Sequence, residues 1–183
     1  MEFEELKIPG VWLAKSYVHF DQRGSFFEWF KAEDFRRKTG LEFNTRQSNC
    51  SMSQKNVVRG LHFSRAKSGQ AKLVTCVQGS IVDTIVDLRK SSKTFLQTIQ
   101  VLLDSEKGYS IYIPDGFGHG FRSLEQNTKV IYNLTSQYDP STEFTLNIFD
   151  QKFNFGWDKN TSVLSQRDSE AMQLEDMYPL LPD

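Results

Sequence analysis

An all-β fold, a jelly roll or a related barrel, is what this sequence predicts, and three observations predict it. Short runs dense in β-branched and other apolar residues recur along the middle of the chain, separated by Gly, Pro and Asp turn signals. Helix-forming stretches lie only towards the two ends. Aromatics reach 13%, with 15 Phe among them, and wide rings of this kind suit the space between two sheets.

Taken in chain order, the first element is a helix. Ala32 to Thr39 is rich in good helix formers and stops at Gly40, a natural C-terminal cap. Leu73 to Gln78 reads as a strand, broken by Gly79-Ser80. Ile81 to Leu88 follows with high β-branched density, so the two resemble a hairpin. Thr98 to Leu103 and Tyr109 to Ile113 are further strands, and Pro114-Asp115-Gly116 ends the second with turn chemistry. Lys129 to Leu134 and Phe144 to Ile148 complete the strands. The tail from Ser165 to about Met177 has helical composition. No repeat, low-complexity segment or linker interrupts the 183 residues, so one domain over 1–183 with a few short flanking helices is expected. That length buries a sufficient core without disulfides. A barrel mouth or interior is the usual place for a small-ligand site in such a fold.

Composition excludes several classes. Lys plus Arg number 22 against 23 Asp plus Glu, so no basic excess points to nucleic acid and no acidic tail to a disordered activator. Met1-Glu2-Phe3-Glu4-Glu5 is acidic and lacks the apolar stretch of a secretory signal. No segment approaches the roughly 18 apolar residues of a membrane helix. Cys50 and Cys76 have neither zinc nor redox spacing, and reduced thiols in the cytoplasm are expected.

Three histidines are present, and two sit in unusual settings. His62 lies in Arg59-Gly60-Leu61-His62-Phe63, and His119 lies at the end of Ile113-Pro114-Asp115-Gly116-Phe117-Gly118-His119. A metal-binding barrel normally offers about two or three imidazoles plus a carboxylate. There is no His-x-His or His-x-x-x-His pair here, although His62, His119 and one acid leave a two-histidine, one-carboxylate site geometrically open. Each candidate also has a plain structural role available. His62 can be a satisfied strand histidine, and His119 can bond a backbone carbonyl after its turn. Ser165-x-x-Asp168 reads as a capping box. Lys72 can be a solvated edge charge, and Tyr132 a half-buried aromatic with a wet hydroxyl. His19, between Val18 and Phe20, is assigned nothing.

Several segments taken together resemble one family. They are Asp21-Gln22-Arg23-Gly24-Ser25-Phe26-Phe27-Glu28, Gln47-Ser48-Asn49, Arg59-Gly60-Leu61-His62-Phe63, Gln70-Ala71-Lys72-Leu73-Val74 and Val86-Asp87-Leu88-Arg89. Ile113 to Phe121, Tyr132, Tyr138 and Leu164-Ser165-Gln166-Arg167-Asp168 extend the match. In this order, through nearly the whole chain, they resemble the dTDP-4-dehydrorhamnose 3,5-epimerases, which have a cupin-type jelly roll. No single motif would suffice.

The resemblance implies epimerisation at C3 and C5 of a dTDP-4-keto-6-deoxyhexose through an enolate, with neither redox cofactor nor metal. The chemistry suits the residues. A C–H beside a ketone is weakly acidic, so inversion needs a base on one face, an acid on the other and positive charge at the ketone oxygen. By resemblance His62 is the base and Asp168 its partner, an arrangement that fixes the ring tautomer as the triad aspartate does in serine proteases. Lys72 holds the oxyanion and Tyr132 supplies the proton from the opposite face. Arg59 and Arg23 resemble the diphosphate-side arginines, for which a guanidinium fork is suited. Phe26, Glu28, Gln47 and Asn49 resemble the base and sugar contacts. Tyr138 packs on the nucleotide side, and His119 is a substrate contact. The family draws part of this set from the partner subunit of a homodimer.

Four departures stand out. Cys50 replaces a common His, Asn133 a Lys, Asp139 a second Tyr, and Gly118 an Ala. None removes a proposed catalytic group, but they leave the sugar, the nucleotide and the number of inverted carbons open. The alternatives are a single-carbon epimerase, on this or another nucleotide-linked 4-keto sugar, and a nucleotide-sugar-binding protein without catalysis.

Overall fold

The computed structural model describes residues 1–183. Its strands are β1 (Glu2–Glu5), β2 (Trp12–Lys15), β3 (His19–Asp21), β4 (Gly24–Phe26), β5 (Gln47–Ser53), β6 (Val58–Ser64), β7 (Lys72–Gln78), β8 (Ser80–Asp87), β9 (Thr98–Asp104), β10 (Tyr109–Ile113), β11 (Phe117–Ser123), β12 (Thr128–Leu134) and β13 (Glu143–Thr145). Helix α1 spans Ala32–Thr39, and the one-turn helices α2 and α3 span Gln166–Ser169 and Leu174–Met177.

Two antiparallel sheets face each other as a jelly roll. One has the order β1-β2-β10-β7-β12-β5 and the other β13-β6-β11-β8-β9, while β3 and β4 form a separate hairpin. Period-two alternation explains how both faces are filled. Val74 and Cys76 of β7, Ile111 and Ile113 of β10, Ile81 and Ile85 of β8, and Phe117 and Phe121 of β11 meet in the core between the sheets. The intervening residues Leu73 and Tyr112 point outwards and pack with Phe35 of α1 and Phe43. On the far side, Val58, Leu61 and Phe63 of β6 are covered by Phe153, Phe155, Leu174 and Met177 from the C-terminal third.

Helix α1 ends as its sequence predicts. Gly40 adopts φ +74°, and its N–H donates to the Arg36 carbonyl. Glu33 and Asp34 in the first turn and Arg36, Arg37 and Lys38 in the last complement the helix dipole.

The C-terminal tail differs from the helix its composition predicts. It breaks into α2 and α3 because tertiary bonds capture the residues between them. Asn147 N–H donates to the Met172 carbonyl at 2.8 Å, and the Asp150 carboxylate accepts from Leu174 N–H at 2.6 Å. Pairing with the body of the protein overrides a weak propensity. The strand expected over Phe144 to Ile148 likewise begins at Glu143 and is regular only to Thr145. Leu146 still exchanges backbone bonds with Leu61, and Asn147 then turns to Met172. No helix is long and apolar enough to cross a membrane.

Candidate active site

Residues three apart on a regular strand face opposite ways, yet Arg59 and His62 both face the space between the sheets. A bulge makes this possible. His119 pairs with His62, and Phe121 pairs with Arg59, so two steps along β11 match three along β6. The extra residue is accommodated at Gly60, with φ +112°. A Cβ there would lie 2.6 Å from both Gly120 Cα and the His119 carbonyl oxygen, so only glycine permits the approach.

The opposite wall comes from the other sheet. Lys72 pairs with Leu134, and Val74 pairs with Tyr132, which puts Lys72 and Tyr132 on the inward face of β7 and β12. β7 is an inner strand between β10 and β12, so Lys72 is not an edge charge. Arg59, His62, Lys72, His119, Gly120, Phe121 and Tyr132 together line a cleft of about 100 Å³.

Asp168 reaches His62 across 106 positions of sequence, with Oδ1 2.6 Å from the ring Nε2. The helix cap coexists with this contact. Ser165 Oγ accepts from Asp168 N–H at 3.1 Å and donates to Asp168 Oδ2 at 2.8 Å, so Ser165 is the cap and one carboxylate oxygen stays free for the histidine. Burial pushes the His62 imidazole below its usual pKa of 6.5, reinforced by Lys72 and Arg167 and opposed by Asp168. Burial raises the Asp168 carboxyl, but the His62 and Ser165 hydrogen bonds outweigh it and hold the group below the usual carboxylate range. The pair is therefore a neutral imidazole beside a carboxylate at neutral pH. A carboxylate only accepts, so Nε2 carries the proton and Nδ1 keeps its lone pair.

Lys72 is 7% exposed. Burial lowers it from 10.5 to about 8, against the pull of Glu143, Asp83 and Asp115. Its Nζ donates to the His62 carbonyl at 3.2 Å. Tyr132 is half-buried, and burial raises its phenol above 10.0, partly offset by Arg59. It is protonated at neutral pH. Arg59 is braced by bonds from Nε to Ser53 Oγ and from Nη2 to the Met52 carbonyl. His119 bonds Asp83 Oδ2 through Nε2 at 2.7 Å rather than a backbone carbonyl.

Three expected binding residues are joined beside this cleft. Gln47 donates to Asn49 Oδ1 at 2.9 Å and accepts from Tyr138 N–H at 2.7 Å. Asn49 pairs with Tyr132 across β5 and β12. Three others do not reach the cleft of their own chain. Arg23 forks onto Asp21 in the β3–β4 hairpin, Phe26 is 66% exposed, and Glu28 bonds Lys31. Arg23 and Phe26 instead line a separate surface hollow of about 330 Å³ with His19.

Sequence reading missed Asp83 and Glu143, the latter of which accepts from Gln70 Nε2 at 2.7 Å and is the foremost charge holding up the Lys72 pKa. An acid inside the apolar run Ile81-Val82-Asp83-Thr84-Ile85 was the available signal for the first. The structure has no group of three or more His, Cys, Asp or Glu side chains arranged to hold a metal ion. The two cleft imidazoles engage different carboxylates.

Known proteins resemble this chain along nearly its whole length. A family model described as dTDP-4-dehydrorhamnose 3,5-epimerase matches residues 5–176. The dTDP-4-dehydrorhamnose 3,5-epimerase of Mycobacterium tuberculosis is 41% identical over 180 residues, covering 97% of this chain and 89% of the relative. NovW, a 4-keto-6-deoxy sugar epimerase from the novobiocin cluster of Streptomyces spheroides, superposes with a TM-score of 0.95 at 35% identity, over 100% of this chain and 92% of NovW. ChmJ, a 3′-monoepimerase from Streptomyces bikiniensis solved with dTDP-quinovose, gives a TM-score of 0.91 at 34% identity, over 97% of this chain and 91% of ChmJ.

Proposed function

This chain belongs to the dTDP-4-dehydrorhamnose 3,5-epimerase family, an isomerase family of deoxysugar biosynthesis, and from that premise we propose that it inverts C3 and C5 of a dTDP-4-keto-6-deoxyhexose in the cytoplasm. The observation that carries the proposal is the His62–Asp168 pair on one wall of the cleft with Lys72 and Tyr132 on the other.

His62 Nδ1 takes the proton from the carbon beside the ketone, and the C–H electron pair moves into an enolate. The imidazolium that forms is stabilised by Asp168. The Lys72 ammonium faces the developing oxyanion, where positive charge is worth more in the transition state than against the neutral ketone. The Tyr132 phenol returns a proton to the opposite face, and exchange with solvent resets both groups. Electron demand is met by the substrate's own ketone, so the sequence of steps closes without a redox partner.

Arg59 takes the diphosphate, with Gln47, Asn49, Tyr138 and His119 around the sugar and nucleotide. Arg23, Phe26 and Glu28 serve a second protomer. In a homodimer their hairpin enters the partner's cleft, which accounts for the 71% and 66% exposure of Phe20 and Phe26.

Incubation with dTDP-4-keto-6-deoxyglucose in deuterated water tests this. Deuterium at C3 and C5, abolished in His62→Ala, is the expected result. Label at neither carbon above a protein-free control would refute it. The similarity to ChmJ, a 3′-monoepimerase, favours one second reading, inversion at a single carbon, and label at C3 alone would establish that instead.

A further inference from the structure

The cleft holds two imidazoles side by side on one wall, from the register partners His62 of β6 and His119 of β11. Each gives its Nε2 to a buried carboxylate, Asp168 at 2.6 Å and Asp83 at 2.7 Å. The first pair belongs to the proton-transfer machinery described above. The second has no role in it.

Asp83 is a poor choice for stability alone. It projects from the middle of β8 between the core residues Ile81 and Ile85 and is 0% exposed. A buried carboxylate is costly unless fully hydrogen-bonded. Only Oδ2 has a partner, and Oδ1 has none. Position 83 is thus a locally unfavourable residue retained beside a catalytic cleft, the pattern expected where function overrides stability. The same carboxylate also acts across the cleft. Burial lowers the Lys72 ammonium, and Asp83 is among the charges that pull it back up.

What the carboxylate does to His119 follows from donor chemistry. Asp83 accepts, so it selects the tautomer with the proton on Nε2 and leaves Nδ1 as an acceptor. His119 Nδ1 has no partner within the protein, and the residue lines the cleft. We propose that Asp83 is a positioning residue of this site, locking His119 so that Nδ1 accepts a hydrogen bond from a hydroxyl of the bound sugar. The proposal rests on the epimerase reading. Through it the sugar ring is held against the His62 wall with its reacting C–H directed at the base.

Asp83→Asn tests it with little change of shape. The amide can present its NH₂ to Nε2, which reverses the tautomer. Ring 1H–15N spectra of the substrate-free protein should show His119 protonated at Nε2 in the native chain and should lose that preference in the variant. The kcat should fall about 100-fold, as expected for a misplaced reacting group, with KM changed only a few-fold. His119→Gln should lose a similar factor, and the double variant should lose no more than either alone, because both changes remove one interaction. Retention of the native tautomer or of native kcat in Asp83→Asn would overturn the proposal, as would additive losses in the double variant. A native protein that incorporates no deuterium refutes the epimerase reading instead. The ring spectra need no substrate and then decide the Asp83 assignment by themselves.

Discussion

Raising the pH through 8 should switch this protein off through Lys72. Burial lowers the ammonium from 10.5 to about 8, even with Glu143, Asp83 and Asp115 pulling the other way. A displacement of that size makes the charged form about 3 kcal/mol less favourable than in water. It also places the loss of charge inside the range where the fold is expected to survive. With a pKa of about 8, about nine in ten molecules carry the charge at pH 7 and about one in ten at pH 9. Because kcat/KM reports the free protein's ionisations, it should fall roughly tenfold for each pH unit above that point. His62 titrates below 6.5, so neutral base and charged Lys72 coexist on a plateau between the two. Tyr132 lies above 10.0 and cannot supply a limb at 8. The assay is kcat/KM by deuterium incorporation across this range, with circular dichroism at each pH. Lys72→Arg keeps its charge throughout, so whatever activity it retains should lack the limb near pH 8. A native profile that stays flat to about pH 10, or a limb near 8 that persists in Lys72→Arg, would refute the assignment of Lys72 as the oxyanion group.

Three further outcomes are expected. Asp168→Asn should lower kcat by about 10²- to 10⁴-fold through loss of imidazolium stabilisation and of the ring tautomer. Its thermal midpoint should hold, since Ser165 Oγ still accepts the backbone N–H of residue 168. Asp87 is 0% exposed, and burial alone would raise it, but bonds from Arg89, Ser92 and Thr94 bring it to about 2. Its folded pKa lies below the unfolded value, so its contribution of about 2 kcal/mol is present above about pH 4 and is lost as pH falls through about 2. Urea titrations should show Asp87→Asn less stable at pH 7, with the gap narrowed to about a third at pH 2.5. Gly60→Ala forces a Cβ to within 2.6 Å of Gly120 Cα at a φ of +112°, and a loss of at least about 2 kcal/mol, or about 4–8 °C in Tm, is expected by calorimetry.

The frame of the protein was legible, and parts of its working surface were not. β7, β8 and β10 are dense in Val, Ile and Leu because both of their faces are largely covered, and β9 and β12 carry enough apolar residues on their buried face for composition to announce them too. β5 reads Gln-Ser-Asn-Cys-Ser-Met-Ser, polar on the face towards Arg59 and Tyr132 and exposed on the other, and no apolar period marks it. β6 and β11 contain Gly60, Gly118 and Gly120, which weaken a strand signal. Gly60 and Gly120 are what the bulge behind His62 requires. The Asp168 contact spans 106 residues and was reachable only through ordered motifs that resemble a family. Its local spacing announced a cap, and the cap is there too. Arg23, Phe26 and Glu28 were legible in the same way, yet one chain does not bring them to its cleft.

A sandwich suits this chemistry for a geometric reason. Inversion at carbon needs a proton removed from one face of a ring and returned to the other. One sheet offers side chains from one side only. Two facing sheets stand about 10 Å apart, room for a sugar ring once large core side chains are absent. Here His62 projects from the five-stranded sheet, and Lys72 and Tyr132 project from the six-stranded one. Ile81, Ile85, Ile111 and Ile113 close the space elsewhere between the sheets, and two outer clusters add apolar burial away from the cleft. Stability is thereby lodged where no chemistry occurs. That division lets the cleft keep a desolvated lysine and a half-bonded carboxylate, groups that a fold with a single core and nothing outside it would tolerate poorly.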